Sequence, residues 1–278
     1  MKKPNFKLVL GWLYPDLMSI YGDRGNIIVL QRRCEWRGID VEIRRIDQTT
    51  SYKLLAMCDL LFMGGAQDRQ QTIVAEDLQK KKATLSEMIE DGIPGLYICG
   101  GFQFLGKYYK EADGTIIKQL GVLDVYTENP GGKRLIGNIA IKLNKELGIK
   151  NYALSNDKKA AHNSKFIIHN SDEVFVGFEN HGGRTRLGPG VHPLGKVLKG
   201  YGSNAEDGTE GAVYKNSIGT YFHGPILPKN PELADWLIQK ALEHKYGQSA
   251  MSNKPLATLD DSLANQARSA ILRRLGVM

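Results

Sequence analysis

Residues 96–109, LYICGGFQFLGKYY, join a short apolar run to the first turns of a predicted helix, with Cys99 at the junction and Gly100 and Gly101 directly after it. At the carboxyl end of a parallel strand, a side chain faces the region where α/β folds bind ligands. A sharp strand-to-helix turn can hold a nucleophile outward, and glycines let the turn and a substrate come close. Cys99 is therefore a candidate nucleophile. Burial as a small core residue is the alternative, since free cysteines are often buried.

Strand-like and helix-like segments alternate along the first part of the chain. The pattern predicts strands over 6–14, 40–47, 59–63 and 94–98, and helices over 23–38, 68–91 and 101–110. This alternation indicates βαβ units and a parallel sheet, whose strands are apolar throughout because both faces are covered. From about residue 115, strands separated by Gly- and Asn-rich turns favour an antiparallel or mixed extension. The predicted fold class is α/β, with a central mostly parallel sheet flanked by helices.

The remaining segments are less strongly patterned. Residues 150–172 are polar and predict an exposed insertion, while 230–246 predict a helix and 247–261 a linker. In the C-terminal segment, apolar residues fall near one helical face at Leu259, Leu263, Ala267, Ile271 and Leu275. We expect this helix to dock on its own domain; binding to a partner is the alternative.

Composition excludes several classes of protein. The chain has 278 residues, and its apolar runs are too short to cross a bilayer. The N-terminus lacks the apolar core and cleavage site of a signal peptide, so a cytoplasmic protein is expected. Three cysteines without a CxxC pair argue against a disulfide framework or a zinc site, and no metal site is predicted. The net charge of +7 is too modest to indicate nucleic-acid binding.

A nucleophilic cysteine needs a base, and six histidines are available. His223 is the best candidate because, in IGTYFHGP, it ends a predicted strand as Cys99 does. His181, in GFENHGGRT, adjoins glycines and an arginine and could line a site. The others lie in polar or terminal stretches and are expected at the surface: His162, His169, His192 and His244. The order of residues does not give the distance between Cys99 and His223.

The sequence resembles the class I glutamine amidotransferases, whose nucleophile pattern is Cys-x-Gly-x-Gln, at Cys99, Gly101 and Gln103. The similarity is closer to the cobyric-acid-synthase-like (CobB/CobQ) branch, through motifs at 13–26, 62–68, 177–185 and 219–230. Within that branch, the chain resembles the glutaminase subunits of lipid II isoglutaminyl synthases. The resemblance implies a class I glutamine amidotransferase domain over residues 1–246, followed by a linker and a C-terminal helix at 247–278.

The resemblance also implies roles for individual residues. Cys99 would attack the side-chain amide of glutamine to give a γ-glutamyl thioester and ammonia, and His223 would move the proton. Backbone N–H groups of Gly100 and of the Gly64-Gly65 loop, with Gly65 as the second donor, would form the oxyanion hole.

Two further side chains are implied in binding glutamine. Gln103 belongs to the family's glutamine pocket. Arg134, in YTENPGGKRLIGN, would bind the substrate α-carboxylate through its guanidinium. A solvated turn residue is the alternative for Arg134.

One position departs from the common pattern. Many class I enzymes have His-x-Glu, in which the carboxylate orients the imidazole, whereas this chain has Pro225 there. Our hypothesis is that another residue of this chain, or an acidic residue of the partner, supplies the carboxylate.

The implied partner is a MurT-like Mur-ligase subunit, giving a heterodimer that amidates the D-glutamate α-carboxyl of lipid II to D-isoglutamine during peptidoglycan synthesis. The chain has no GxxxxGK[ST] stretch, so ATP, Mg²⁺ and the lipid-linked acceptor are expected on that partner, and no cofactor is expected here.

Three other functions remain open at this point. An amidotransferase for a cobyrinate- or cobyrate-type acceptor is one, although such enzymes are usually fused to an ATP-using domain. A non-catalytic binding module is another, but Cys99, Gln103 and His223 are all present. A DJ-1-like thiol protein also has a cysteine elbow, yet it would not predict Gln103 or the HGP strand end.

Overall fold

The computed structural model describes residues 6–66, 68–145, 174–249 and 256–278, so the predicted insertion at 150–172 lies outside the described residues. The strands are β1 Lys7–Leu13, β2 Asp40–Ile46, β3 Leu60–Met63, β4 Gly95–Ile98, β5 Tyr108–Lys110, β6 Ile116–Lys118, β7 Val125–Glu128, β8 Leu135–Leu143, β9 Val174–His181, β10 Arg184–Leu187, β11 Gly195–Lys199, β12 Thr209–Glu210, β13 Ala212–Tyr214 and β14 Ser217–Thr220. The helices are α1 Arg24–Glu35, α2 Tyr52–Leu55, α3 Asp68–Glu90, α4 Gly100–Leu105, α5 Pro231–Tyr246 and α6 Ser262–Leu275.

The central sheet has six strands in the order β13-β14-β4-β3-β1-β2. All its neighbouring pairs are parallel except β13 with β14. Strands β3, β4 and β14 are buried along their whole length, which accounts for the unbroken apolar sequences of β3 and β4. The predicted α/β fold with a mostly parallel central sheet is confirmed, and the carboxyl ends of β4 and β14 lie side by side.

Apart from β13 and β14, the strands from Tyr108 onward form two separate four-stranded sheets, β10-β7-β5-β6 and β12-β11-β8-β9, rather than the predicted extension of the central sheet. All their neighbouring pairs are antiparallel except β5 with β7. In the first of these sheets, β5 differs from the prediction of a helix over 101–110. Helix α4 ends at Leu105 because Gly106 takes an extended conformation, and the following residues pair with β6 and β7 instead.

The C-terminal helix α6 docks on the outer face of β8 and β9, where Leu272 packs with Ala140, Val174 and Val176. Arg268 is buried on the same face and forms a bidentate ion pair with Glu232 of α5.

The predicted buried face of α6 was wrong at three positions. Leu259 lies before the helix, which begins at Ser262. Leu263 is 78% exposed and Ala267 is also exposed, because the buried face runs through Arg268, Ile271 and Leu272, about one residue further along the helix. Because the charged residue Arg268 lies at the centre of this face, a pattern of apolar residues alone does not predict it. No helix in the described ranges is long and apolar enough to cross a bilayer.

Candidate active site

Cys99 occupies a strained turn between β4 and α4. Its backbone has φ 51° and ψ −104°, and its side chain is 6% exposed. A non-glycine residue with positive φ is uncommon and is held only where the surroundings impose it. Gly101 makes the turn possible, because a Cβ there would lie 2.7 Å from the carbonyl oxygen of Met63 on β3. The turn therefore has the geometry of a nucleophile elbow.

His223 follows the neighbouring strand and lies beside the cysteine. The N–H of Cys99 donates to the carbonyl of Thr220, the last residue of β14, at 2.8 Å. The backbone of His223 is bonded in both directions to Phe178 of β9, which fixes its position after the strand. A Cβ on Gly65 would come within 2.9 Å of His223 Cε1 and 3.2 Å of Cys99 Cβ, so only glycine fits between the two side chains.

Asp23 completes a row of three side chains. Its Oδ1 lies 3.1 Å from His223 Nδ1, and both residues are fully buried. The Nδ1 atom therefore faces the carboxylate, while Nε2 has no hydrogen-bond partner among the described residues. Of the two sources considered for the orienting carboxylate, this geometry supports the one within the chain.

The charges around His223 favour its protonated form. Burial lowers its pKa, but the hydrogen bond to Asp23 and the interactions with Asp23 and Cys99 outweigh burial and raise the pKa to about 10. The imidazole is therefore an imidazolium at neutral pH.

The loop after β3 supplies backbone donors near the cysteine. Gly65 was predicted to form the oxyanion hole, but its N–H donates to Asp23 Oδ2 at 2.8 Å and is not available for a substrate. The next N–H, that of Ala66, lies 3.4 Å from the position that a Cβ on Gly100 would take. Gly100 is the first residue of α4, where N–H groups have no acceptor within the helix.

A cavity of about 450 Å³ opens in front of Cys99. Gln103 and Arg134, both predicted to bind substrate, contribute to its wall. Arg134 lies at the exposed mouth, where Asn180 accepts hydrogen bonds from its Nε at 2.9 Å and from its Nη2 at 2.8 Å. Asn180 in turn donates to Tyr21 Oη at 3.0 Å.

His181 lines the same cavity and is buried. Its Nδ1 lies 2.8 Å from the carbonyl oxygen of Gly183, and its Nε2 has no partner among the described residues. Burial lowers the pKa of His181 to about 3, so the ring is neutral at pH 7. The expectation that His181 could line a site agrees with this position.

Three of the predicted residues, Cys99, Gln103 and Arg134, line one cavity. His223 and Gly100 lie beside Cys99 but do not line that cavity. Sequence reasoning missed Asp23, Asn180 and Tyr21. A signal for Asp23 existed, because it stands between β1 and α1 and therefore at the same edge of the sheet as Cys99.

The fold and the site define a glutamine amidotransferase, and the comparisons with known proteins agree. Residues 9–231 match the CobB/CobQ-like glutamine amidotransferase domain, and the chain belongs to that family. A solved structure titled as a glutamine amidotransferase aligns over 84% of this chain and 98% of its own, with a TM-score of 0.51 and 17% identity.

Two curated relatives that match most of the chain carry the name of the same kind of subunit. The chain is 45% identical over 232 residues to the lipid II isoglutaminyl synthase (glutamine-hydrolyzing) subunit GatD of Staphylococcus aureus, covering 83% of this chain and 82% of that protein. It is 41% identical to the subunit of the same name from Streptococcus pneumoniae, covering 87% and 84%. A probable cobyric acid synthase of Methanothermobacter thermautotrophicus is 32% identical, but only 32% of its length is matched.

Proposed function

We propose that this chain is the glutamine-hydrolysing subunit of a lipid II isoglutaminyl synthase, releasing ammonia for a partner that amidates lipid II. The observation that carries the proposal is the buried row Cys99–His223–Asp23 at the wall of an amino-acid-sized cavity. Identity above 40% to two GatD subunits, over more than four-fifths of their length, supports the choice of acceptor.

The reaction begins with attack of the Cys99 sulfur on the side-chain amide carbon of glutamine. The sulfur attacks with its proton held by His223, which Asp23 orients, and a C–S bond forms. We assign the stabilisation of the resulting oxyanion to the N–H groups of Gly100 and Ala66, since the Gly65 N–H is engaged by Asp23.

Collapse of this intermediate needs an acid at the leaving nitrogen, and the same imidazolium can serve. Part of the rise in the His223 pKa comes from the charge of Cys99. That charge disappears once the sulfur is bonded to carbon, so His223 becomes a better acid when ammonia must leave. Ammonia takes the proton and departs, leaving a γ-glutamyl thioester. Water then attacks the thioester with His223 as base, and glutamate and the thiolate are restored.

Arg134 and Gln103 are suited to hold the substrate. Arg134 is held by Asn180 at the cavity mouth, where its guanidinium can bind the α-carboxylate of glutamine. This places the carboxylate at the entrance and the side-chain amide toward Cys99.

The partner that we propose is a MurT-like Mur-ligase subunit, forming a heterodimer in the cytoplasm. It would bind ATP and Mg²⁺, activate the D-glutamate α-carboxyl of lipid II, and use the ammonia to form D-isoglutamine. The names of the two GatD relatives describe them as subunits, which supports a partner of this kind.

The experiment is glutamate release from L-glutamine by the purified chain, alone and with the MurT-like partner, for wild type, Cys99→Ala and Cys58→Ala. Cys58 is the matched control, because its thiol is also buried but it does not line the cavity. We expect activity in wild type and Cys58→Ala and none in Cys99→Ala, with D-isoglutamine formed when partner, ATP and lipid II are added. A wild-type chain that is silent with and without partner would refute the proposal. Hydrolysis without lipid II amidation would refute the acceptor.

A further inference from the structure

Behind the cavity wall lies a buried tyrosine that the mechanism above does not use. Tyr221 follows β14, two residues before His223, and its side chain is fully buried. Its ring stacks on His181, with centroids 3.7 Å apart and planes 11° from parallel. Its hydroxyl lies 3.0 Å from Gln103 Nε2 and 2.6 Å from Thr185 Oγ1. Tyr221 therefore contacts two residues of the cavity wall without lining the cavity itself.

The hydrogen bonds determine how the Gln103 amide is turned. Gln103 Nε2 donates to the Tyr221 oxygen, so the phenolic proton must go to another acceptor. Thr185 Oγ1 is that acceptor. The Thr185 hydroxyl can in turn donate to Thr127 Oγ1, which lies 2.7 Å away. With its NH₂ group turned inward to Tyr221, the amide leaves its oxygen, Oε1, for a ligand.

His181 offers a second acceptor. Its Nδ1 carries the proton, because the neighbouring carbonyl of Gly183 can only accept. The unprotonated Nε2 is buried and has no partner among the described residues. The stack on Tyr221 fixes the plane of this ring, and with it the direction of the Nε2 lone pair.

We propose that Tyr221 is a positioning residue that directs Gln103 Oε1 and His181 Nε2 toward the α-ammonium group of the substrate. The inference rests on the proposed function, since it assigns a role within the glutamine site. The chemistry fits a zwitterionic amino acid, because Arg134 is a cation for the carboxylate while the two neutral acceptors suit the ammonium. Both acceptors belong to the same cavity as Cys99.

The test is Tyr221→Phe, which keeps the ring stacked on His181 and removes only the hydroxyl. We expect KM for L-glutamine to rise about tenfold, with kcat within about twofold of wild type. Glutaramic acid, which is glutamine without its α-ammonium group, serves as a competitive inhibitor. Its Ki should be the same for wild type and Tyr221→Phe, because the ammonium subsite is empty when it binds.

The matched control is Tyr97→Phe. Tyr97 is buried too, but its hydroxyl lies beside Gly95, at the opposite end of β4 from Cys99, and its KM should not change. Thr185→Val provides a second variant if Tyr221→Phe does not fold. Loss of that acceptor turns the phenolic proton toward Gln103, and KM should rise in the same way.

Three results would overturn the inference: an unchanged KM in Tyr221→Phe, an equal rise in KM and in the glutaramic acid Ki, or the same change in Tyr97→Phe. A wild-type chain without glutaminase activity would instead refute the proposed function, so the two failures are distinguishable.

Discussion

Replacing Asp23 by asparagine tests the row of catalytic side chains most directly. The substitution keeps the size of the side chain and removes its charge. In wild type, Oδ2 accepts the Gly65 N–H at 2.8 Å and Oδ1 faces His223 Nδ1 at 3.1 Å. In Asp23→Asn, the amide oxygen must face the Gly65 N–H, so the NH₂ group faces His223. The imidazole is then held in the tautomer that carries its proton on Nε2 and cannot accept one from Cys99.

The expected magnitude follows from the charge and the distance. A pair of unit charges about 4 Å apart interacts by about 4 kcal/mol at an effective dielectric constant near 20. Loss of that interaction from the imidazolium corresponds to a fall of about 10³ in kcat. The wrong tautomer acts in the same direction and costs about 10⁴ in the serine proteases, so a fall of 10³ to 10⁴ is expected.

The assay is steady-state glutamate release at saturating glutamine, alone and with the partner, together with thermal unfolding to confirm that the variant is folded. Asp16→Asn is the control, because Asp16 lies in the same loop but is exposed and pairs with Arg45. A folded Asp23→Asn variant with kcat within threefold of wild type would refute the role of Asp23. Recovery of activity only with the partner would show that the partner supplies the carboxylate.

Three other perturbations follow from the structure. Arg134→Lys should raise KM for glutamine at least tenfold at nearly constant kcat, since lysine cannot make the bidentate contact; a fall in kcat alone would contradict this. Gly101→Ala should destabilise the fold by about 1–3 kcal/mol in chemical unfolding, because its Cβ would lie 2.7 Å from the Met63 oxygen, whereas Gly137→Ala has open space and should be nearly neutral. Burial raises the pKa of Glu179 to about 7, so the folded state holds a proton that the unfolded chain releases from about pH 4.5. The free energy of unfolding should therefore fall as pH rises from about 4.5 to about 7, and Glu179→Gln should reduce this dependence on pH. If the dependence is the same in Glu179→Gln, another group causes it.

The parts of the fold that could be predicted are those whose signal is local. Strands β3 and β4 are short, continuous apolar runs that end in glycines, and Cys99 stands where such a run meets a helix. His223 was found by the same rule applied to the end of β14. A strand end of this kind is visible in sequence because the apolar run gives way to glycine, which favours a turn.

What could not be predicted depends on contacts between distant parts of the chain. Asp23 acquires its role only when the fold brings it to His223, 200 positions later. The same carboxylate withdraws the Gly65 N–H from the oxyanion hole, so one missed contact also misplaced a backbone donor. On α6, the buried position belongs to Arg268, whose burial depends on its ion pair with Glu232.

The strand order has a consequence for how the protein is made. Strand β14, which ends three residues before His223, is the last of the central sheet to be synthesised, yet it lies between β13 and β4. Until it is in place, β4 is an edge strand with unpaired backbone groups along a fully apolar sequence, which is a surface prone to aggregation. A nascent chain that stops before residue 217 therefore has neither the acid–base residue nor the strand that covers the edge of β4. Catalytic competence and protection of β4 from aggregation therefore depend on the same late-synthesised segment.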